Sequence, residues 1–459
     1  MKFTPTYPKP HKNKTSFILR FFRGSRSWLD VLFEKSYRMK MGQVRQFGLD
    51  VFMVNEPSLV KQILVDEPKK YPKHRLMHKM LKPLLGNSIF TTNGEVWQKQ
   101  RRLVDAGFGQ ARLQLVFPLM LDAVDDMLNR LDLEASNQIF EIDSEMTHVT
   151  ADIIFRTILS QKLNKSKANE IFEAFNEFQR QAQRALILKI YWLPSYFAKK
   201  TSQLAANKIR PVIADVIAER YRDKNKIDAH IYNDILAGIM DAIDPVDHKG
   251  FDYQEMVDQI CMLFLAGHET SASALTWALY LISQCPDLQA IMFDEIQSVT
   301  KGGELEFDHI KKLTHVNNVF KEVLRLYPPV GFFSREATEN HCMRNKSIKT
   351  GSVLIISPWL IHRNEDFWEN AHDFEPGRFV TEAGKTSEKC AYLPFSKGPR
   401  VCTGQTFAVQ EAVLILSSLI RRYKVHCVSE HVPRAVGRVT VRPENGVKVR
   451  LTKRNKPNI

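Results

Sequence analysis

Apolar residues return every three or four positions through the middle of the chain, as at Leu121, Val124, Met127 and Leu128. This spacing predicts helix from about Gly94 to Gln289. Breaks are expected at Pro194, at Pro211 and around Asp244-Pro245, with a polar stretch from Arg222 to Lys226 between. A further helix is predicted from His309 to Leu326, stopped by Pro328-Pro329, and another from Gly404 to Arg422. Strand patterns lie elsewhere: Gln43 to Phe47 and Asp50 to Val54 around Gly48, Val353 to Ile356, Val439 to Val441, and Val447 to Leu451. After the first pair, Pro57 opens a helix at its first turn. No internal repeat and no Gly/Ser-rich linker divides the chain. The expected fold is therefore mainly α (α+β), one domain over residues 1–459, with a large helical region and a small β-rich one. Residues 1–35 are expected to form an extended N-terminal arm, stiffened by Pro5, Pro8 and Pro10.

The most apolar stretch, Ile260 to Ile282, has the length of a membrane span but contains His268, Glu269, Thr270, Ser271 and Ser273. A carboxylate near its centre would be costly in lipid, so it reads as a buried helix beside a polar site. Ser16 to Phe22 is short and interrupted by Arg20, too small for a signal sequence or a span. The expectation is a soluble protein without a transmembrane anchor. Hydrophobic residues at 44% and charged ones at 25% exclude a disordered or low-complexity chain. The 65 basic and 51 acidic side chains leave a formal charge of +14. Such an excess suits an acidic partner, a lipid surface or nucleic acid, or is simply a well-solvated basic surface. No basic stripe is interleaved with stacking aromatics, so nucleic acid falls away. Six cysteines without a CxxC pair read as reduced thiols and point to the cytoplasm.

The strongest chemical signal is Phe395-Ser396-Lys397-Gly398-Pro399-Arg400-Val401-Cys402-Thr403-Gly404, just ahead of an apolar helix. A cysteine at a helix entrance meets free N–H groups and the positive end of the dipole, which favour a thiolate. Gly398 and Gly404 let backbone approach a flat ligand, Phe395 can shield the sulfur, and Arg400 can reach an anionic edge. A thiolate so placed is a natural ligand for haem iron. Taken alone, a cysteine before a helix is more often an inert buried thiol.

This segment resembles the cysteine loop of the cytochromes P450, FxxGxRxCxG, matched at all five specified positions. Thr403 departs from the apolar residue usual there; its hydroxyl can bond near the sulfur or face the preceding turn. Three further segments follow the family's order. Ala266-Gly267-His268-Glu269-Thr270-Ser271 matches the distal-helix signature. By resemblance, Thr270 stabilises iron-bound oxygen and Glu269 helps deliver protons, while His268 is not an iron ligand. On their own, these would read as a Thr bonded back to its helix and a Glu at a solvated edge.

Glu322-Val323-Leu324-Arg325 puts a carboxylate and a guanidinium on one helix face. The family pattern adds Arg378, from Pro376-Gly377-Arg378-Phe379, to make a structural Glu–Arg–Arg cluster. Trp97-Gln98-Lys99-Gln100-Arg101 matches WxxxR, and the resemblance places Trp97, Arg101, Arg335 and Arg400 on the haem propionates. The resemblance implies the cytochrome P450 fold, with haem b (iron protoporphyrin IX) between distal and proximal helices and Cys402 as metal ligand.

The implied activity is a monooxygenase that inserts one oxygen atom of O2 into a C–H bond, by hydroxylation or O-demethylation. No reductase is fused, so electrons would come from an acidic ferredoxin or flavodoxin with its NAD(P)H-dependent reductase. That partner would dock on a basic face containing Lys99, Arg101, Arg102, Lys385, Lys389 and Lys397. By family position, Phe264, Leu265, Ala266, Glu269, Val330, Gly331, Phe332, Phe333 and Val439 line the substrate pocket. Segments His74 to Phe90 and Phe172 to Leu188 supply its variable parts. The fixed residues favour a hydrophobic or mixed substrate held mainly by shape, and the Lys, Arg, His and Gln of the variable segments leave a carboxylate or hydroxylated substrate open. With prolines starting at residue 5, the chain looks like a soluble, monomeric, bacterial form. The rival expectations are a haem-thiolate peroxygenase or isomerase, and a non-catalytic haem sensor.

Overall fold

The computed structural model describes all residues except 1–2, 14–15, 47–48, 135–138, 163–164, 191–192, 225–231, 429 and 455–459. The helical periodicity is realised as a series of long helices, among them Gln110–Glu134, Ile142–Leu159, Lys165–Ile190, Tyr196–Lys224 and Tyr253–Ser283. The last is buried on almost every side and forms the axis of the core. Its start is set by a capping box: Glu255 N–H donates to Asp252 Oδ1 at 2.8 Å and Asp252 N–H to Glu255 Oε2 at 3.0 Å. Among the described residues, no helix is long and apolar enough to cross a membrane.

The first two expected strands pair as an antiparallel hairpin, Met41–Gln46 with Leu49–Val54; the turn at Gly48 lies outside the described residues. Val51 of this hairpin then pairs in parallel with Val353, and Phe333–Glu336 adds antiparallel to Val353–Ile356. This four-stranded sheet carries a second, smaller core built around Phe52, Leu354 and Trp368. A three-stranded sheet joins Ile139–Glu141, Lys448–Lys453 and Tyr423–Cys427. A short hairpin of Ala435–Gly437 and Val441–Pro443 reaches towards the central helix.

Four expectations need correction. The N-terminal arm is not extended throughout: only about 3–11 is, and Phe17–Arg26 is helical. Ser16 caps that helix, and Arg23 and Arg26 sit at the negative end of its dipole. Pro211 does not break Tyr196–Lys224, because Ile209, Ile213 and Ile217 are all buried along one stripe and packing overrides the lost hydrogen bond. The helix expected from His309 is two, Phe307–Ile310 and Thr314–Leu326. The second is capped from outside, Glu295 accepting from His315 N–H at 2.8 Å and Val316 N–H at 3.2 Å. Within the long helical stretch, the strand Ile139–Glu141 was not expected either.

Candidate active site

The cysteine loop runs along one side of the core into Gln405–Arg422. Cys402 N–H donates to Phe395 O at 3.0 Å, closing the loop. Gly398 has φ +74°, and a Cβ there would stand 1.9 Å from the carbonyl oxygen of Leu64, so only glycine fits. Cys402 keeps accessible surface although it lies deep among protein atoms, as a side chain fronting an internal cleft does. Burial pushes its thiol up, against the Gly404 N–H, Arg101 and Lys73, which all favour the thiolate. Phe395 is half-buried and packs on the main core. The Thr403 hydroxyl turns away from the sulfur and donates to Asp105 at 2.7 Å.

Around the loop the charge is one-sided. Arg400 stacks on the Trp97 ring, 4.0 Å from its centroid, and donates to Asn93 Oδ1 at 2.7 Å. Burial, with Arg335 and Arg101 nearby, pushes Arg400 down to about 9, and burial alone takes Arg335 to about 10. Lys73 pairs backbone to backbone with Arg335 and bonds Phe90 O at 2.9 Å. Burial first, then Arg400, Arg335 and Arg101, hold its ammonium well below the usual lysine range. Sequence reasoning missed Lys73, since nothing local separates it from the surrounding lysines. Arg101 instead clamps the loop, donating to Val401 O at 2.6 Å and to Asp105. Such a group of cations, Arg335 buried and Lys73, Arg101 and Arg400 partly so, calls for an anion. A cysteine sulfur, a glycine-lined approach and cations at one edge fit haem with its two propionates.

On the central helix, Ala266 is exposed and Thr270 half-buried. Thr270 Oγ1 donates to Ala266 O at 2.7 Å and to Gly267 O at 3.3 Å, occupying helix carbonyls next to the cleft. A Cβ on Gly267 would come within 2.4 Å of Ile154, so glycine lets this turn pack closely on Ile142–Leu159. Glu269 is buried rather than at a solvated edge. It accepts from the Thr440 hydroxyl at 2.6 Å and lies 3.3 Å from Arg442. Burial raises its acid, against the lowering pull of Arg442 and Thr440. Ser273 also donates to Val441 O, at 2.5 Å, so the C-terminal hairpin is latched to this helix.

Leu265, Val330, Phe332, Phe333 and Val439 retain accessible surface. Phe264 does not: it is 2% exposed and packs on Phe155 and Phe175 at 4.9 and 4.8 Å, as ordinary core. Its expected place in the pocket roof is a correction, because the helix turns this residue away from the cleft. The side chain of Phe172 lies outside those described. His268 also lies in the aromatic cluster, and burial pushes it down to about 3, so it stays neutral.

The structure brings Glu322, Arg325 and Arg378 together. Arg325 donates to both Glu322 oxygens at 2.8 and 2.9 Å, and Arg378 Nε to Glu322 Oε1 at 2.9 Å. Arg325 also reaches the carbonyls of His362, Ala371 and Asp373 at 2.7, 2.6 and 2.8 Å. His362, missed from sequence, joins this cluster to the cysteine loop. Its Nε2 accepts from Leu393 N–H at 2.8 Å, so its Nδ1 carries the proton and donates to Arg325 O at 3.1 Å. Burial keeps it neutral.

A cysteine-bearing loop, a cationic cradle at one edge and a hydroxyl-bearing distal helix fit a haem-thiolate protein. The family model described as Cytochrome P450 matches residues 19–450, and the chain belongs to that family. A cytokinin hydroxylase of Arabidopsis thaliana is 31% identical over 408 residues, 87% of this chain and 78% of the relative. Cytochrome P450 4V2 of Homo sapiens is 25% identical, over 86% of this chain and 79% of its own. The crystal structure of the cytochrome P450DA heme domain superposes with a TM-score of 0.83 at 19% identity, covering 98% of this chain and 99% of that one, and confirms the fold. The protein is a cytochrome P450 monooxygenase that takes haem, O2, an organic substrate and electrons from a redox partner. With plant and human relatives, the likeness does not support a specifically bacterial type.

Proposed function

We propose that this chain hydroxylates a C–H bond of a small hydrophobic substrate, with O-demethylation as the same chemistry at an ether carbon. The observation that carries the reading is the partly exposed Thr270 hydroxyl on the central helix with the buried Glu269 carboxyl next to it, bonded to Thr440. The group held at Cys402 is haem b, which when bound supplies dioxygen activation and the oxidising power. The chain's own part is to hold the sulfur, exclude water with apolar walls at Leu265, Val330, Phe332 and Val439, and keep protons at Thr270 and Glu269. The likeness to a hydroxylase supports this reaction type. Thr270→Ala is expected to cut product per electron pair roughly ten-fold while peroxide appears, less than the ~10²–10⁴-fold of a lost general acid because water can stand in. Unchanged coupling, measured as product against NAD(P)H consumed, would remove Thr270 from this role.

The redox partner in this reading is an acidic ferredoxin or flavodoxin, and the enzyme works as a cytoplasmic monomer. Six free thiols suit a reducing compartment. The docking face differs in detail from the sequence reading. Lys99 pairs with Asp247 and Arg102 with Asp244, both at 2.6 Å, and Lys385 with Glu382 at 2.8 Å. These carboxylates weaken the local positive field, leaving Lys389 and Lys397 to carry it. Charge reversal at both is expected to slow reduction by a ferredoxin at low salt and to flatten its salt dependence. Identical stopped-flow rates at every salt concentration would place docking elsewhere.

A further inference from the structure

Trp28 opens the short helical turn Trp28–Val31, in the N-terminal segment far ahead of the haem motifs. Its indole lies between two glycines from distant parts of the chain. A Cβ on Gly331 would stand 2.4 Å from Cζ2 of the ring, and one on Gly437 would stand 2.4 Å from Cε2. Neither glycine has a left-handed backbone, so what the site needs from them is room. Both lead into segments that carry pocket residues. Gly331 precedes Phe332, and Gly437 ends the strand before the hairpin tip at Arg438, Val439 and Thr440.

The Phe332 ring meets the Trp28 ring edge to face, with centroids 5.2 Å apart and planes at 87°. Trp28 Nε1–H donates to Arg438 O at 3.1 Å, and Ser27 Oγ accepts from Gly437 N–H at 2.9 Å. The other side of the same tip is tied to the central helix, where Thr440 donates to Glu269 at 2.6 Å. Val439 therefore stands between two fixed neighbours. Asp30 holds the helical turn on the hairpin, each of its oxygens accepting from Arg434 at 2.7 Å. Gly331 O is fixed as well, accepting from the Ser357 hydroxyl at 2.9 Å and from Trp359 N–H at 3.3 Å.

We infer that Trp28 is a positioning residue for the substrate cleft: its indole spaces the Phe332 wall from the Val439 tip and so sets how bulky a substrate the cleft accepts. A ring wedged against two backbones in a close-packed interior has no slack to shift. Removing it leaves a void beside the half-buried Phe332, into which that ring turns, and it frees the Arg438 carbonyl. The cleft then widens on this side. The bearing on substrate choice rests on the oxygenase reading above; the wedge itself does not.

The test uses the haem-loaded protein and the variants Trp28→Phe, Trp28→Ala and Gly331→Ala. The probes are imidazole, a phenylimidazole and a biphenyl-substituted imidazole, each titrated by the absorption change on binding iron. In Trp28→Ala the affinity ratio of the biphenyl probe to imidazole should rise roughly ten-fold, the discrimination that a small change in an apolar pocket commands. Imidazole itself should bind as in the wild type. Trp28→Phe, whose smaller ring still meets Phe332, should show a smaller rise. Gly331→Ala, which pushes the indole aside, should change the ratio in the wild-type background and leave it unchanged in Trp28→Ala. An unchanged ratio in Trp28→Ala overturns the proposal, as does an equal loss of affinity for all three probes, the mark of a merely loosened fold. If Trp28→Ala yields no haem-loaded protein, the same two outcomes in Trp28→Phe and Gly331→Ala decide. Failure of the oxygenase reading looks different: no variant, nor the wild type, would make product, while the probe ratios would still shift.

Discussion

Cys402→Ser is expected to abolish the thiolate-specific absorption band of the reduced carbon monoxide complex and, with it, monooxygenase turnover. The reason lies in the donor atom. Serine keeps the volume and the Phe395 hydrogen bond to the backbone, since that bond uses the Cys402 amide. Its hydroxyl, however, ionises far less readily than a thiol and donates much less electron density. The cationic cradle of Lys73, Arg335 and Arg400 is untouched, so haem should still bind, more weakly, with an altered spectrum. The variant thus separates cofactor retention from ligation. Persistence of the wild-type band in Cys402→Ser would place the iron on another residue and undo the active-site assignment.

Glu322→Ala is expected to be nearly as damaging, by a different route. Glu322 and Arg325 are fully buried, Arg378 is 5% exposed, and the carboxylate is shared by both guanidinium groups. Removing it leaves the buried Arg325 without an anionic partner and Arg378 with Glu375 at 3.3 Å, at a cost of about 3–5 kcal/mol. Against a usual total of about 5–15 kcal/mol, that is roughly a fifth of the stability or more. The strain should travel to the haem site, because Arg325 O accepts from His362 and His362 accepts from Leu393, ahead of the cysteine loop. Denaturant titration and haem content of the purified variant check both parts. A loss below about 1 kcal/mol with full haem content would reduce the cluster to a surface-like ion pair.

Features written in a contiguous stretch were legible from that stretch. The Cys402 loop, the AGxET turn and the hairpin at Met41–Val54 depend on residues next to one another, so spacing and residue type suffice. Features that depend on a partner far along the chain were not. The helix start at Thr314 is capped by Glu295, and Pro211 survives inside its helix because of the buried isoleucines around it. The same holds at the site. Lys73 becomes a cradle residue only through its backbone pairing with Arg335. Lys99 and Arg102 gain their carboxylate partners, Asp247 and Asp244, only when the chain folds.

By itself the amino-acid order determined the thiolate loop, the hydroxyl-bearing helix and the family, because a short backbone motif encodes its own geometry. Tertiary structure alone decided which ionisable groups act. Burial raises the Glu269 acid, Lys73 and Arg400 are weakened as cations, and Phe264 leaves the pocket for the core. Desolvation and the charges brought close by packing set those properties, and both arise only when distant segments meet.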